Sequence, residues 1–205
     1  MARYTGPIVK KSRRYNAVLF SNGKSKENAF KKRKYAPGQH GRTGFKTLSE
    51  FGKQLQEKQK ARFMFGLTEK QFKKYYVKAD KVSGITGKEM LRLLERRLDN
   101  FVYRAGLAAT RQQARQIVNH GHLELNGKRI NIPSIEVNVG DVVTVRARSQ
   151  KSALFTEVKA TKKPVNPKWI DTEYAKLSAK MIALPEDDDL EQIVDVQLIV
   201  EFYSK

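Results

Sequence analysis

The chain is predicted to be an α+β protein, with helices first and a small antiparallel sheet after them. Three observations carry that prediction. Between Thr47 and Gln113 the motif Thr-x-x-Glu/Gln recurs at Thr47, Thr68, Thr86 and Thr110, each time ahead of a plausible helix. Such a pair satisfies the orphan amides of a helix start reciprocally. Beyond Gly121 the apolar pattern alternates and is broken by Asn126-Gly127, whose residues both tolerate the positive φ of a tight hairpin. Residues 1–48 show neither period and carry a net charge of +12, which predicts an extended basic N-terminal segment.

Composition bounds the function. The 205 residues suffice for one ordinary domain or two small ones, and a formal charge of +20 draws polyanions to the surface. That charge fades along the chain, from +12 over residues 1–48 to +5 over 49–90, +5 over 91–149 and −2 over 150–205. The absence of cysteine excludes disulfides, thiolate metal sites and cysteine nucleophiles. With His40, His120 and His122 as the only histidines, neither a metal nor a cofactor is expected. No apolar run reaches the ~18 residues a membrane span needs, and MARYTGPIVKKSRRY has no signal-peptide core. A soluble, intracellular chain without a membrane partner is the expectation.

In the first segment, residues 1–46, the candidate RNA-binding side chains are Arg3, Arg13, Arg14, the cluster Lys31-Lys32-Arg33-Lys34, and His40 and Arg42 in the loop PGQHGR. Basic, Gly-containing stretches rarely build a core alone. Such a segment is a disordered tail, a nuclear-import cluster, or an extension that orders on RNA, with Gly38 and Gly41 letting backbone approach phosphates.

The first helix, residues 48–65, begins with Leu48, Phe51 and Leu55, and the same face continues as Lys58, Gln59 and Arg62. A stripe that turns basic halfway predicts a second half off the protein core, solvated or facing RNA, so Lys58 and Arg62 are candidates. In the second helix, residues 69–82, Phe72, Tyr75, Tyr76 and Ala79 take core spacing, and packing is favoured over base stacking. A third helix is read as continuous from Lys88 to Ala105 on the stripe Leu91, Leu94, Leu98, Phe101, Val102 and Ala105, stopped by Gly106. The fourth runs from the Thr110 cap to Gly121. Ala114, Ile117 and Val118 anchor it, and Arg111, Gln112, Arg115, Gln116 and Asn119 fill the outer face, with no acid among them. Guanidinium forks onto phosphate and amides read base edges or sugar hydroxyls. Arg104, Arg111, Gln112, Arg115, Asn119 and, in the hairpin, Lys128 are therefore candidates for one basic face, with alanine at Arg111 and Arg115 expected to weaken RNA binding without unfolding the chain. HLEL, the return strand KRI and VVTVRAR after Gly140-Asp141 supply the sheet.

The spacing RLDN-x3-R-x5-TR-x2-AR-x5-G, followed by NGK, resembles the S-four-type RNA-binding domain. MARYTGP, YAPGQHG, LSEFGKQLQEKQKARFMFGLTEKQF and IVEFYSK resemble the bacterial-type small-subunit ribosomal protein S-four family, from the first residues to the last. That resemblance implies a helical domain with an inserted S-four-type domain. Residues 1–46 form the basic ribosomal-RNA-binding extension, residues 47–90 the helical domain completed by 180–205, and residues 91–179 the S-four-type domain with its following strands. It also implies a structural, primary RNA-binding component of the small ribosomal subunit that nucleates assembly of the subunit body. Its partners are small-subunit ribosomal RNA, ribosomal proteins S-three and S-five, and messenger RNA (mRNA) where it enters the subunit, where it contributes to translational accuracy. Some members also repress their own messenger. Many members hold zinc or an iron–sulfur cluster on N-terminal cysteines; this chain has none.

Trp169 and Ile170 are expected to bury against the sheet or a domain junction. The run Glu186-Asp187-Asp188-Asp189 is read as a solvated approach to a helix rather than a metal site. QLIVEFYS favours a strand by propensity, whereas the resemblance implies a helix capped at Asp195. Arg97-Leu98-Asp99 repeats the catalytic tripeptide of some pseudouridine synthases. Leu98 falls in the apolar stripe and Asp99 on a polar flank, and no length remains for a substrate domain, so no enzyme is expected.

Overall fold

The computed structural model describes residues 4–19, 24–43, 47–160 and 167–204. The chain forms two compact units, one from Met1–Met90 with Glu191–Lys205 and one from Leu91–Leu190.

In the first unit, α1 (Ile8–Tyr15) and α2 (Lys24–Lys32) precede a short 3-10 turn at Gly41–Thr43. Sequence reasoning missed both helices, because their support is tertiary. Tyr4 and Tyr15 pack on Phe63 of a later helix, with ring centroids 5.1 and 6.1 Å away. Asn16 closes α1 in the left-handed conformation, at φ 48°. Gly41 is a close-approach position, since a Cβ there would lie 1.7 Å from the Ala36 carbonyl oxygen. A side chain at this position would therefore collide with backbone of its own loop.

Next come α3 (Glu50–Met64), α4 (Glu69–Asp80) and α5 (Thr86–Glu95). Ser49, not Thr47, caps α3, its Oγ accepting from the Gly52 amide at 3.2 Å. Thr68 and Gln71 form the expected reciprocal box, the Thr68 amide donating to Gln71 Oε1 at 3.4 Å. Thr86 is itself the first residue of α5, where the Ile85 carbonyl accepts from the amides of Lys88 and Glu89. The last element, α9 (Val196–Tyr203), is a helix despite its β-branched residues. Asp195 caps it by accepting from the Gln197 and Leu198 amides, and Phe202 and Tyr203 pack on Phe51, Phe72 and Tyr76. Tertiary burial of one face overrides single-residue propensity.

The second unit holds α6 (Leu98–Arg104), α7 (Arg111–Asn119), β1 (Leu123–Leu125), β2 (Lys128–Ile130), β3 (Val142–Val145), α8 (Ala153–Ala160), β4 (Ile170–Glu173) and β5 (Ser178–Met181). The strands pair antiparallel in the order β2-β1-β3-β5-β4. Asn126 and Gly127 turn β1 into β2 at φ 50° and 77°. The Asn126 side chain also ties in β3, accepting from the Val142 amide at 2.9 Å and donating to Asp141 at 2.8 Å. Leu98, Phe101, Val118, Val143, Phe155, Trp169 and Ile170 share one core, as expected for Trp169 and Ile170.

The expected single helix from Lys88 to Ala105 is two helices. Arg97 is extended, at φ −61° and ψ 138°. The Leu98 amide donates to the Ile135 carbonyl at 2.8 Å, and the Val137 amide donates to the Arg96 carbonyl at 2.9 Å. Long-range backbone pairing breaks a period that the apolar residues alone leave continuous.

Candidate nucleic-acid interface

At the end of α5 and across α6 and α7, buried carboxylates organise the arginines. Glu95 is fully buried and takes Arg104 in a fork, Nε and Nη2 donating to its two oxygens at 2.8 and 2.7 Å. The Asn100 amide also donates to Glu95, and Asn100 Oδ1 accepts from Arg111 Nε at 2.8 Å. Arg111 Nη2 stands 4.0 Å from the same Glu95, and its guanidinium carbon lies 4.7 Å from the Tyr103 ring centroid. A second hub forms at Asp99, which takes Arg97 in a fork at 3.0 and 2.8 Å and stands 3.7 Å from Arg115 Nη1.

These hubs correct three expectations. Asp99 does not lie on a polar flank; it is buried and paired, and Leu98 beside it is core. The tripeptide that imitates a catalytic motif is therefore a structural ion pair. Arg115 does not face outward, being only 5% exposed; it stands behind Arg97 as the second cation on the buried Asp99, which keeps the Arg97 fork when Arg115 is removed. The face of α7 is not without acid either, because Glu95 and Asp99 reach it from other elements. Gln112 and Asn119 are exposed as expected, Arg111 is partly buried, and Lys128 is exposed on the hairpin. Arg129, exposed beside Lys128, was not among the candidates; its position in the NGKR hairpin was the available signal.

In the first unit the reading of α3 is reversed. Lys58 is buried, its Nζ 2.9 Å from Glu69 and 4.3 Å from the Phe202 ring centroid, while Leu48 and Phe51 are exposed. Glu69 also accepts from the Tyr203 hydroxyl at 2.7 Å. Burial raises the Glu69 carboxyl, but the hydrogen bonds from Tyr203 and Lys58 and the charges of Lys58 and Arg62 outweigh it and hold its pKa below the ordinary glutamate value. Burial, then the bond to Glu69 and its charge, pushes the Tyr203 phenol well above the ordinary tyrosine value. Arg62 is partly buried, 3.9 Å from Glu69.

The N-terminal cations differ. Lys31, Lys32, Arg33, Lys34, His40, Arg42 and Arg14 are exposed. Arg13 donates to the Tyr35 carbonyl at 3.1 Å, and its guanidinium carbon lies 4.9 Å from the Tyr35 ring centroid. Arg3 lies outside the described residues. Among the described residues no group of His, Asp and Glu could hold a metal ion, and no helix is long and apolar enough to cross a membrane.

Two helices that share the core of an antiparallel sheet, whose first hairpin turns at Asn126-Gly127, place this unit in the S4-domain class. A family model described as Ribosomal protein S4/S9 N-terminal domain matches residues 3–95, and one described as S4 domain matches residues 96–143. The chain is similar to Small ribosomal subunit protein uS4 of Lactiplantibacillus plantarum, 50% identical over 207 residues, and to that of Heliobacterium modesticaldum, 46% identical over 209, with all of both chains covered in each case. The chain belongs to the uS4 family, whose members are structural proteins of the ribosome rather than enzymes.

Proposed function

We propose that the chain binds small-subunit ribosomal RNA directly and early, as a structural component of the small subunit of the cytoplasmic ribosome. Family membership supports the ribosomal setting. The observation that carries direct RNA binding is the exposed run Lys31-Lys32-Arg33-Lys34 with Arg42 beyond it, in a segment whose one acidic residue is Glu27. Such cations neutralise phosphates and release counterions.

In this reading residues 1–46 grip phosphates through Arg13, Arg14, Lys31–Lys34, His40 and Arg42. Residues 47–90, completed by 180–205, form the scaffold. Residues 91–179 present Arg104, Arg111, Gln112, Asn119 and Lys128 to RNA. Bound at a multi-helix junction, the protein nucleates folding of the subunit body. It neighbours ribosomal proteins S-three and S-five where mRNA enters, contributes to accuracy there, and represses its own messenger when in excess.

Filter retention of small-subunit ribosomal RNA by the full chain tests the reading. Affinity should fall by ~10³ or more between about 50 and 200 mM salt if six or more phosphates are engaged. A flat salt dependence, or failure to co-sediment with small subunits, sinks it; competition by the protein's own transcript checks repression.

A further inference from the structure

The first unit contains a cleft of about 710 Å³ between α1 and α3. Among the described residues, three cations line it, Lys11 and Arg14 from α1 and Arg62 from α3, and no carboxylate does. Lys11 is held by rings, its Nζ 4.8 Å from the Phe63 centroid and 5.4 Å from that of Tyr4. Burial, then the charges of Arg14, Arg62 and Lys10, lowers its pKa below the ordinary lysine value, as expected where cations crowd one cleft.

A second, independent observation points to the same place. Gln59 Oε1 and Arg62 Nε belong to residues that line the cleft, and both atoms are buried without a hydrogen-bond partner. Native proteins leave few such groups. Residues three apart on a helix are surface neighbours, so this face of α3 offers the cleft both an acceptor and a donor. Tyr15 and Leu55 add an apolar wall.

We propose that this cleft takes one unstacked RNA nucleotide, with its phosphate on Lys11, Arg14 and Arg62 and its sugar and base along the Gln59–Arg62 edge against Tyr15. The assignment rests on the RNA-binding reading but is narrower than it. Charge attracts any phosphate, while the amide and the ring select for what the phosphate carries.

The test uses the full chain in two arms. In the first, small-subunit ribosomal RNA is titrated onto the wild type, Lys11→Gln, Arg14→Gln and Gln59→Leu, with the exposed Lys73→Gln as control. The two charge variants should each bind about fivefold to tenfold more weakly, with a salt slope lower by roughly 0.7–0.9 per lost phosphate contact. Gln59→Leu should lose about threefold with the slope unchanged, since it removes a neutral contact. Lys11→Arg should restore binding. Arg14 is exposed, so its variant reports on the cleft even where one at Lys11 unfolds.

In the second arm, amide resonances are followed under uridine 5′-monophosphate and under inorganic phosphate. Both should shift Lys11 and Arg14, and only the nucleotide should shift Gln59. Identical shifts from the two probes overturn the nucleotide assignment, as do wild-type affinity and slope in Arg14→Gln and Gln59→Leu while the wild type binds RNA. Nucleotide binding in the cleft by a chain that ignores ribosomal RNA would uphold the site and sink the ribosomal reading.

Discussion

The two units carry positive charge in opposite ways. In the second, the guanidiniums of α6 and α7 and of Arg97 converge on buried acids, Arg104 and Arg111 on Glu95 and Arg97 and Arg115 on Asp99. In the first, Lys31–Lys34 and Arg14 stand exposed, and Lys11 and Arg13 rest on aromatic rings. An arginine anchored by a buried carboxylate is fixed before RNA arrives and loses little freedom on binding, but it also belongs to the fold. An exposed lysine contributes almost nothing to folding and acts through counterion release. Thus the same residue types separate into preorganised contacts and electrostatic ones.

The sharpest way to break this contrast is Asp99→Ala. It leaves Arg97 and Arg115 buried without their shared anion, and such losses cost about 3–5 kcal/mol. Urea denaturation should show the midpoint falling steeply; a loss below ~1 kcal/mol would mean the hub is solvated and the contrast false. Replacing Lys31, Lys32, Arg33 and Lys34 together by alanine should do the reverse. RNA affinity should fall roughly a hundredfold with a salt slope lower by about 3, while stability stays within ~0.5 kcal/mol. A large stability loss there would show that the run packs on protein.

How much of this was legible follows from where each interaction lies. The Thr110 cap and the Asn126-Gly127 turn are local chemistry, complete within a few residues, and each is present in the fold, whereas the helix capped at Asp195 followed from the resemblance against a propensity for strand. The break at Arg97 is not local, because its backbone partners lie near residue 135. Nor is the burial of Lys58, which depends on Phe202 and Glu69. The basic run at Lys31–Lys34 was legible as surface because Glu27 is the one acid near it in sequence, against four successive cations. The pairing of Arg111 and Arg115 was not, since Glu95 and Asp99 sit more than ten residues upstream inside an apolar stripe.

Glu95→Gln sharpens the comparison from the other side. Simple electrostatics predicts tighter RNA binding, because the variant gains one unit of positive charge. Preorganisation predicts the opposite: Arg104 loses its anionic fork and Arg111 the nearby charge, so both sample more rotamers before binding. We expect affinity to fall about tenfold, which corresponds to roughly 1.4 kcal/mol, with the salt slope unchanged. Tighter binding by Glu95→Gln would show that the hub serves stability alone.

The smallest effect tests the one place where the first unit behaves like the second, the Lys58–Glu69–Tyr203 cluster. Glu69 has a depressed folded pKa, so its contribution is present above the ordinary glutamate value of 4.5 and is lost as pH falls through the lower folded value. Tyr203 has a raised one, so its contribution is full below 10.0 and declines as pH rises above it, where the unfolded chain ionises and the folded chain keeps its proton. Tyr203→Phe removes the hydroxyl but keeps the ring against Tyr76. It should cost about 1 kcal/mol at neutral pH, flatten the alkaline decline, and shift the acid limb upward as Glu69 loses a donor. Glu69 is partly exposed, so solvent screening keeps the acid effect modest. Thermal melts across pH 3–11 would read both limbs. An unchanged alkaline limb in Tyr203→Phe would mean that the phenol ionises freely, and that Lys58 is held by its ring contacts and Glu69 alone.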